Sequence, residues 1–348
     1  MPRSKLFLGF YDKINCMELT NLEKILEKEP KYRLTQVKKA IFRDLIEDWL
    51  KVTTLSLPLR EQLNKECNLN IPAQTLTSKN KRAVKSLITL KDGLKIETVL
   101  MRHKDKRNTI CVSSQVGCPL NCSFCATGKM GFKRDLEVWE IVEQVLFFAR
   151  YLKENKERVT NVVFMGMGEP FFNYRNVMRA IKILNDKEGF NLGARHFSIS
   201  TVGIVEGIEK LTKEESQINL AISLHAPDDE LRSKLMPINK KYPIRKILNA
   251  VDDYIENTRR RVMFEYMMIK NLNDSEEHAK TLARLMKKPL YFVNLISYNP
   301  TGIFKPSSSS RIKKFKEILE KEGMIVTQRY RFGQDIKAAC GQLAGKEK

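Results

Sequence analysis

"CVSSQVGCPLNCSFCATG", residues 111 to 128, holds four of the chain's seven cysteines. Cys118, Cys122 and Cys125 follow a C-x3-C-x2-C spacing, and Cys111 stands upstream of them in the strand-like run TICVS. Three thiolates packed this closely behind a strand point to a metal. A [4Fe–4S] cluster normally takes four thiolates. Held by three, it keeps one iron open, as catalytic metal sites do and closed structural ones do not. The spacing also differs from the ferredoxin run. The other reading is zinc, with Cys111 or His103 as fourth ligand. Neither gives a common zinc-finger spacing, and there is no second C-x2-C pair.

Outward from this stretch, strand-like and helical runs alternate. TICVS (109–113), NVVFM (161–165), HFSIST (196–201), INLAISL (218–224), VMFEYMM (262–268) and YFVNLI (291–296) are separated by helical patterns such as LEVWEIVEQVLFFARYLKE and YRNVMRAIKILND. Such alternation predicts an α/β fold with a parallel sheet and right-handed crossovers. Six units would close partway into a barrel, with the chemistry at the C-terminal strand ends. Residues 1–84 read differently. LTNLEKILEKE, LTQVKKAIFRDLIEDWL and LPLREQLNKE have helical spacing, Pro30 separates the first two, and TSKNKRAVKS reads as an exposed basic connector. The expected organisation is a helical, basic accessory domain (1–84), a barrel domain (85–301), and a C-terminal helix with a cysteine loop (302–348).

The chain is 42% hydrophobic, enough for a core, and carries a formal net charge of +21. So basic a protein commonly meets a polyanion, with nucleic acid ahead of an anionic membrane surface. The clusters KNKR, RHKDKR, TRRRV, RIKKFK and QRYRF are dispersed, as a broad phosphate-contacting surface requires. No secretory signal and no bilayer-length apolar run is visible, and the cysteine count is odd. A reducing, cytoplasmic setting without membrane attachment is expected.

C-x3-C-x2-C after a strand, followed by repeated strand–helix units, resembles the radical S-adenosylmethionine superfamily. Within it, CVSSQVGC, NVVFMGMGEPFFN, ISLHAPDD, MPINKKYPI, NLISYNP and DIKAACGQLAG occur in order between residues 86 and 345. Together they resemble the RlmN-type adenine-C2 RNA methyltransferases and, less closely, the Cfr-type enzymes acting at carbon 8. These residues do not determine which carbon is methylated. The resemblance implies a partial (βα)6 radical-SAM barrel with a small N-terminal helical RNA-binding domain, acting as a monomer. It implies a [4Fe–4S] cluster, two S-adenosylmethionines per turnover and an external electron donor. The RNA partners would be 23S rRNA in the peptidyl-transferase region and tRNA at the adenosine 3′ of the anticodon. A zinc-bearing RNA-binding protein without catalysis is the alternative of another class.

By the same resemblance, Cys118, Cys122 and Cys125 hold the cluster. Gly168, Glu169, Ser200, Ser223, Leu224, His225 and Asn299 contact S-adenosylmethionine; read alone, His225 is more often structural. Cys340, in AACGQL, accepts a methyl group as a thiolate nucleophile. A 5′-deoxyadenosyl radical then removes a hydrogen from that methyl, and the carbon radical adds to the adenine ring. Cys111 frees the product by attacking the Cys340 sulfur, leaving a disulfide that external thiols reduce. Glu97 is the proton acceptor by resemblance, although its interval to Cys111 is one residue longer than the pattern. Read alone, Glu97 is a solvated strand carboxylate, and Cys340 a core cysteine or, between small residues and a glycine, part of a mobile loop. Cys16 and Cys67 match no motif.

Overall fold

The computed structural model describes residues 22, 24–329 and 332–345. Six strands run parallel and lie in chain order: β4 (Asn108–Val112), β7 (Asn161–Phe164), β8 (Phe197–Thr201), β9 (Asn219–Ser223), β10 (Val262–Met268) and β11 (Tyr291–Ser297). They are the six runs expected from the sequence. Helices cross between them, among them α4 (Val138–Lys153), α5 (Tyr174–Asn185) and α8 (Ile244–Thr258), with Val142, Val145, Ile181 and Ile247 buried. This is the partial (βα)6 barrel.

Both edges of the parallel sheet are extended in ways the alternation did not reveal. Before β4, three strands form an antiparallel meander: β1 (Ala73–Thr77), β2 (Ala83–Thr89) and β3 (Lys95–Arg102). The stretch TSKNKRAVKS is therefore only partly a connector. Lys79 to Lys81 are exposed, but Ala83, Val84, Lys85 and Ser86 are buried within β2. After β11, helix α10 (Ser309–Lys321) leads to β12 (Val326–Gln328), which pairs parallel with β11.

The N-terminal region is helical as expected, with α1 (Lys31–Phe42), α2 (Leu57–Glu66) and buried Leu22, Ile25 and Leu26. The second helix stops at Phe42 rather than running on through DLIEDWL. Asp44 N–H closes six-to-one on the Lys39 carbonyl, Leu45 takes a left-handed conformation (φ 50°), and Ile46 N–H returns to the Ala40 carbonyl, so the helix ends here. The region seats on the barrel's outer helices. Phe42 stacks on Trp139, Lys38 pairs with Asp186, and Arg150 donates to the Leu69 carbonyl.

Candidate active site

The cysteine loop is the tip of a hairpin. Strands β5 (Gln115–Gly117) and β6 (Phe132–Asp135) pair antiparallel, and Cys118 N–H donates to the Gly131 carbonyl across its base. Gly117 is required there: its φ is 76°, and a Cβ would sit 1.8 Å from the Gly131 oxygen. The SSQ of the opening stretch anchors this hairpin to the barrel. Ser113 exchanges two hydrogen bonds with the buried Gln144 amide (2.7 and 3.0 Å), and its hydroxyl accepts from Met167 N–H. Gln115 accepts from Glu169 N–H and donates to Asp135.

Above the C-terminal strand ends lies a cavity of about 150 Å³ lined by Cys118, Cys122 and Cys125 and by Gly168, Glu169, Ser200, Ser223 and His225. With Cys340, which also lines it, nine of the residues expected from the motifs thus converge on one space. Gly168, with φ 96°, lies so close to the SSQ turn that a Cβ would come within 2.5 Å of the Gln115 side chain. The Glu169 oxygens accept from Phe171 N–H (3.0 Å) and Val202 N–H (2.9 Å), and burial pushes this carboxyl up to about 7. The His225 Nδ1 accepts from Met267 N–H, and its ring meets Phe124 edge-on. Burial depresses it to about 4, so the imidazole is neutral near pH 7. Leu224 lies fully buried beside it, its N–H donating to the Glu265 carbonyl.

Among the described residues, no three His, Cys, Asp or Glu side chains are gathered tightly enough for a single metal ion. Zinc requires its ligands within about 2.3 Å of one point. Thiolates on a four-iron cluster each take a different iron and are spread apart. The three thiols line one cavity, and a set of three thiolates suits a four-iron cluster with one open iron. Burial pushes Cys118 up to about 12 and raises Cys122 as well, so thiolates there call for a bound cation.

A second, larger cavity of about 490 Å³ lies within the barrel and contains both Cys111 and Cys340 on its walls. Barrel interiors are usually plugged by bulky branched side chains. Here Thr109, Asn161, Ser198 and Asn294 take inward positions and leave it hollow. The two cavities share Met165, Ile296, Arg329 and Cys340. Beside the larger one, a shallow and mainly basic hollow is lined by Arg82, Arg102, His103, Lys104, Arg107 and Phe332, with one acid, Asp105, paired to Arg107 (2.8 Å).

The Cys340 segment is tied down rather than loose. Gly341 O accepts from Ala126 N–H (2.8 Å) and Leu343 O from the Thr127 hydroxyl (2.7 Å), both beside the cysteine hairpin. Asn299 lies apart from the smaller cavity: its amide donates to the Cys340 carbonyl (3.3 Å) and accepts from Gln334. Glu97 is 2% exposed, against the reading of a solvated carboxylate. One of its oxygens accepts from Lys85 Nζ (2.5 Å), the other from Ala344 N–H (2.6 Å) and Gly345 N–H (3.2 Å). The six described cysteines, Cys111 and Cys340 among them, are free thiols. Cys67 is buried near Trp49, whose indole donates to its carbonyl, and Cys16 lies outside the described residues.

Three charged residues, Arg232 and Glu265 buried and Arg329 half-buried, carry parts of the site that no motif reading assigned. Arg232, 0% exposed, donates to the carbonyls of Leu224, Val202, Ser223 and Tyr242 and to Asn239, bracing the strand ends. This gives the MPINKKYPI block its task. Glu265 accepts from the Ser200 (2.6 Å) and Ser223 (3.4 Å) hydroxyls, and Arg329 bridges Glu265 to Cys340.

A sequence model described as the Radical SAM superfamily matches residues 112–283. A Dictyoglomus turgidum protein described as "Probable dual-specificity RNA methyltransferase RlmN" is 46% identical over 95% of this chain and 96% of its own length. A Nitrosopumilus maritimus protein described as "Ribosomal RNA large subunit methyltransferase N" is 44% identical over 90% of this chain and 92% of its own. The crystal structure of a radical SAM methyltransferase from Sphaerobacter thermophilus superposes with a TM-score of 0.91. It is 43% identical and covers 96% of this chain and 100% of that one.

Proposed function

The chain belongs to the RlmN-type family of radical S-adenosylmethionine methyltransferases, and from that premise we propose that it methylates carbon 2 of adenine in RNA. The substrates proposed are 23S rRNA in the peptidyl-transferase region and the tRNA adenosine 3′ of the anticodon. The observation that carries this reading is the pair of thiols, Cys111 and Cys340, on the wall of one cavity that has room for a nucleobase and adjoins the cysteine-lined one. Ring carbon 2 of adenine is not nucleophilic, so direct methyl transfer to it fails and a protein-bound methyl carrier is needed.

In this reading Cys118, Cys122 and Cys125 hold the cluster. Gly168, Glu169, Ser200, Ser223, Leu224 and His225 receive S-adenosylmethionine. When bound, these groups supply the methyl and the hydrogen-abstracting chemistry. Glu169 retains lone pairs for an ammonium beyond its two backbone donors. Asn299 holds the Cys340 carbonyl and so orients the carrier thiol. Glu97 clamps the tail that bears Cys340, and it takes a ring proton only when the amides of Ala344 and Gly345 release it. An unpaired or flipped adenine reaches Cys340 through the larger cavity, its flanking phosphates against the basic hollow.

Peptide mass spectrometry tests the carrier. Protein incubated with S-adenosylmethionine is expected to carry an S-methyl group on Cys340, and Cys111→Ala is expected to remain covalently joined to its RNA. An unmodified Cys340, or a Cys111 variant that releases product normally, contradicts the assignment.

A further inference from the structure

We propose that Arg329 holds Cys340 as a thiolate ready to accept a methyl group, aimed by a hydrogen-bonded relay that starts at the serines expected to contact S-adenosylmethionine. This rests on the reading of Cys340 as methyl carrier and adds the residue that makes it nucleophilic.

Strand β12 delivers the arginine. Arg329 N–H extends the β11–β12 pairing by donating to the Leu295 carbonyl (2.9 Å), which points the side chain toward the two cavities. Its Nη1 donates to Glu265 Oε1 (3.2 Å) and to Cys340 Sγ (3.4 Å), and its Nη2 contacts Met165 Sδ (2.8 Å). The other Glu265 oxygen accepts from Ser200 and Ser223. Glu265, 4% exposed, thus fixes the guanidinium while the serines spread its own charge. Burial works against the Arg329 charge, but Cys340, Glu265 and Cys111 around it hold it above its ordinary range. Other charged or titratable groups face these cavities: Cys111 from β4, Glu169 and His225 from the loops after β7 and β9, the three hairpin cysteines, and His103 and Arg107 at the basic end. Arg329 is the cation in hydrogen-bond contact with the Cys340 sulfur, and a neighbouring cation favours a thiolate.

The step balances without an oxidant. The Cys340 proton leaves to solvent through the larger cavity. The thiolate pair forms the new S–C bond as the sulfonium S–C bond breaks, its pair staying on the departing thioether. The methylated Cys340 is neutral, so the guanidinium returns wholly to Glu265.

The test is the pH profile of Cys340 carbamidomethylation by iodoacetamide in anaerobically purified holoenzyme, read by peptide mass spectrometry from about pH 6 to about pH 10. Arg329→Gln is expected to slow alkylation about tenfold near neutral pH and to converge with the wild type in alkali. Arg329→Lys, which keeps the charge without the planar fork, is expected to fall between. Glu265→Gln removes a negative charge and is expected to shift the profile the opposite way. Superimposed wild-type and Arg329→Gln profiles, with the cluster absorbance intact, overturn the proposal. So does an alkaline shift in Glu265→Gln. Absence of S-methyl-Cys340 in parallel samples incubated with S-adenosylmethionine before any iodoacetamide instead defeats the carrier reading and leaves the thiolate profile as a separate result.

Discussion

Cys111 is the residue whose environment most constrains its chemistry. Its burial, and next the proximity of Cys340, raise its thiol above the ordinary range. In the proposed RNA adduct Cys340 would be a neutral thioether, and burial would remain the main cause that keeps Cys111 protonated near pH 7. The thiolate is the attacking species, and its fraction grows about tenfold per pH unit below its pKa. Release of RNA from the wild-type adduct should therefore accelerate by about that factor per unit between roughly pH 7 and 9. Decay of the covalent species on denaturing gels after a pH jump measures it, and a flat profile would contradict release by a buried thiol. At this scale the hairpin cysteines were legible because their meaning is local spacing. Glu265 and Arg329 were not: each is a single charge in an unremarkable run, and only the register of β8 through β12 brings them to Ser200, Ser223 and Cys340.

Elements explain why the C-terminal tail stays put. It crosses from the β11 edge to the β2–β3 meander, where Lys85 and Glu97, 8% and 2% exposed at their side chains, form a buried pair that also holds Ala344 and Gly345. Removing one partner of a buried pair costs roughly 3–5 kcal/mol because the other charge is stranded. Lys85→Met is expected to lose about 3 kcal/mol in urea unfolding and to expose the tail to proteolysis. Lys85→Met with Glu97→Gln should recover part of that stability, and an unchanged midpoint in the single variant would show that the pair does not anchor the tail. The meander escaped the sequence reading because TSKNKRAVKS places lysines beside the strand AVKSLIT, and Lys85 is buried only through a partner twelve residues later. The six parallel strands were readable because each is a short apolar run flanked by helical periodicity. The helical reading of DLIEDWL failed because the chain reverses at Leu45, where no glycine or proline marks the turn.

Across the whole molecule, the barrel joins two spaces that do different work. One gathers the hairpin cysteines and strand-end residues, and the other is a hollow interior bearing Cys111 and Cys340, with Arg329 and Cys340 common to both. The formal charge of +21 and the basic hollow of Arg82, Arg102, Lys104 and Arg107 suit a large anionic substrate whose base must reach inward. No described helix is long and apolar enough to cross a membrane. The alternation of strands and helices spoke for the barrel; the hollow interior emerges only when alternate residues of different strands face one another. The central claim is tested most directly by mass spectrometry of nucleosides from 23S rRNA and tRNA incubated with the reduced holoenzyme and S-adenosylmethionine. The account predicts 2-methyladenosine, lost in Cys340→Ala while the cluster absorbance remains. Formation of 8-methyladenosine, or of no methyladenosine, would contradict it.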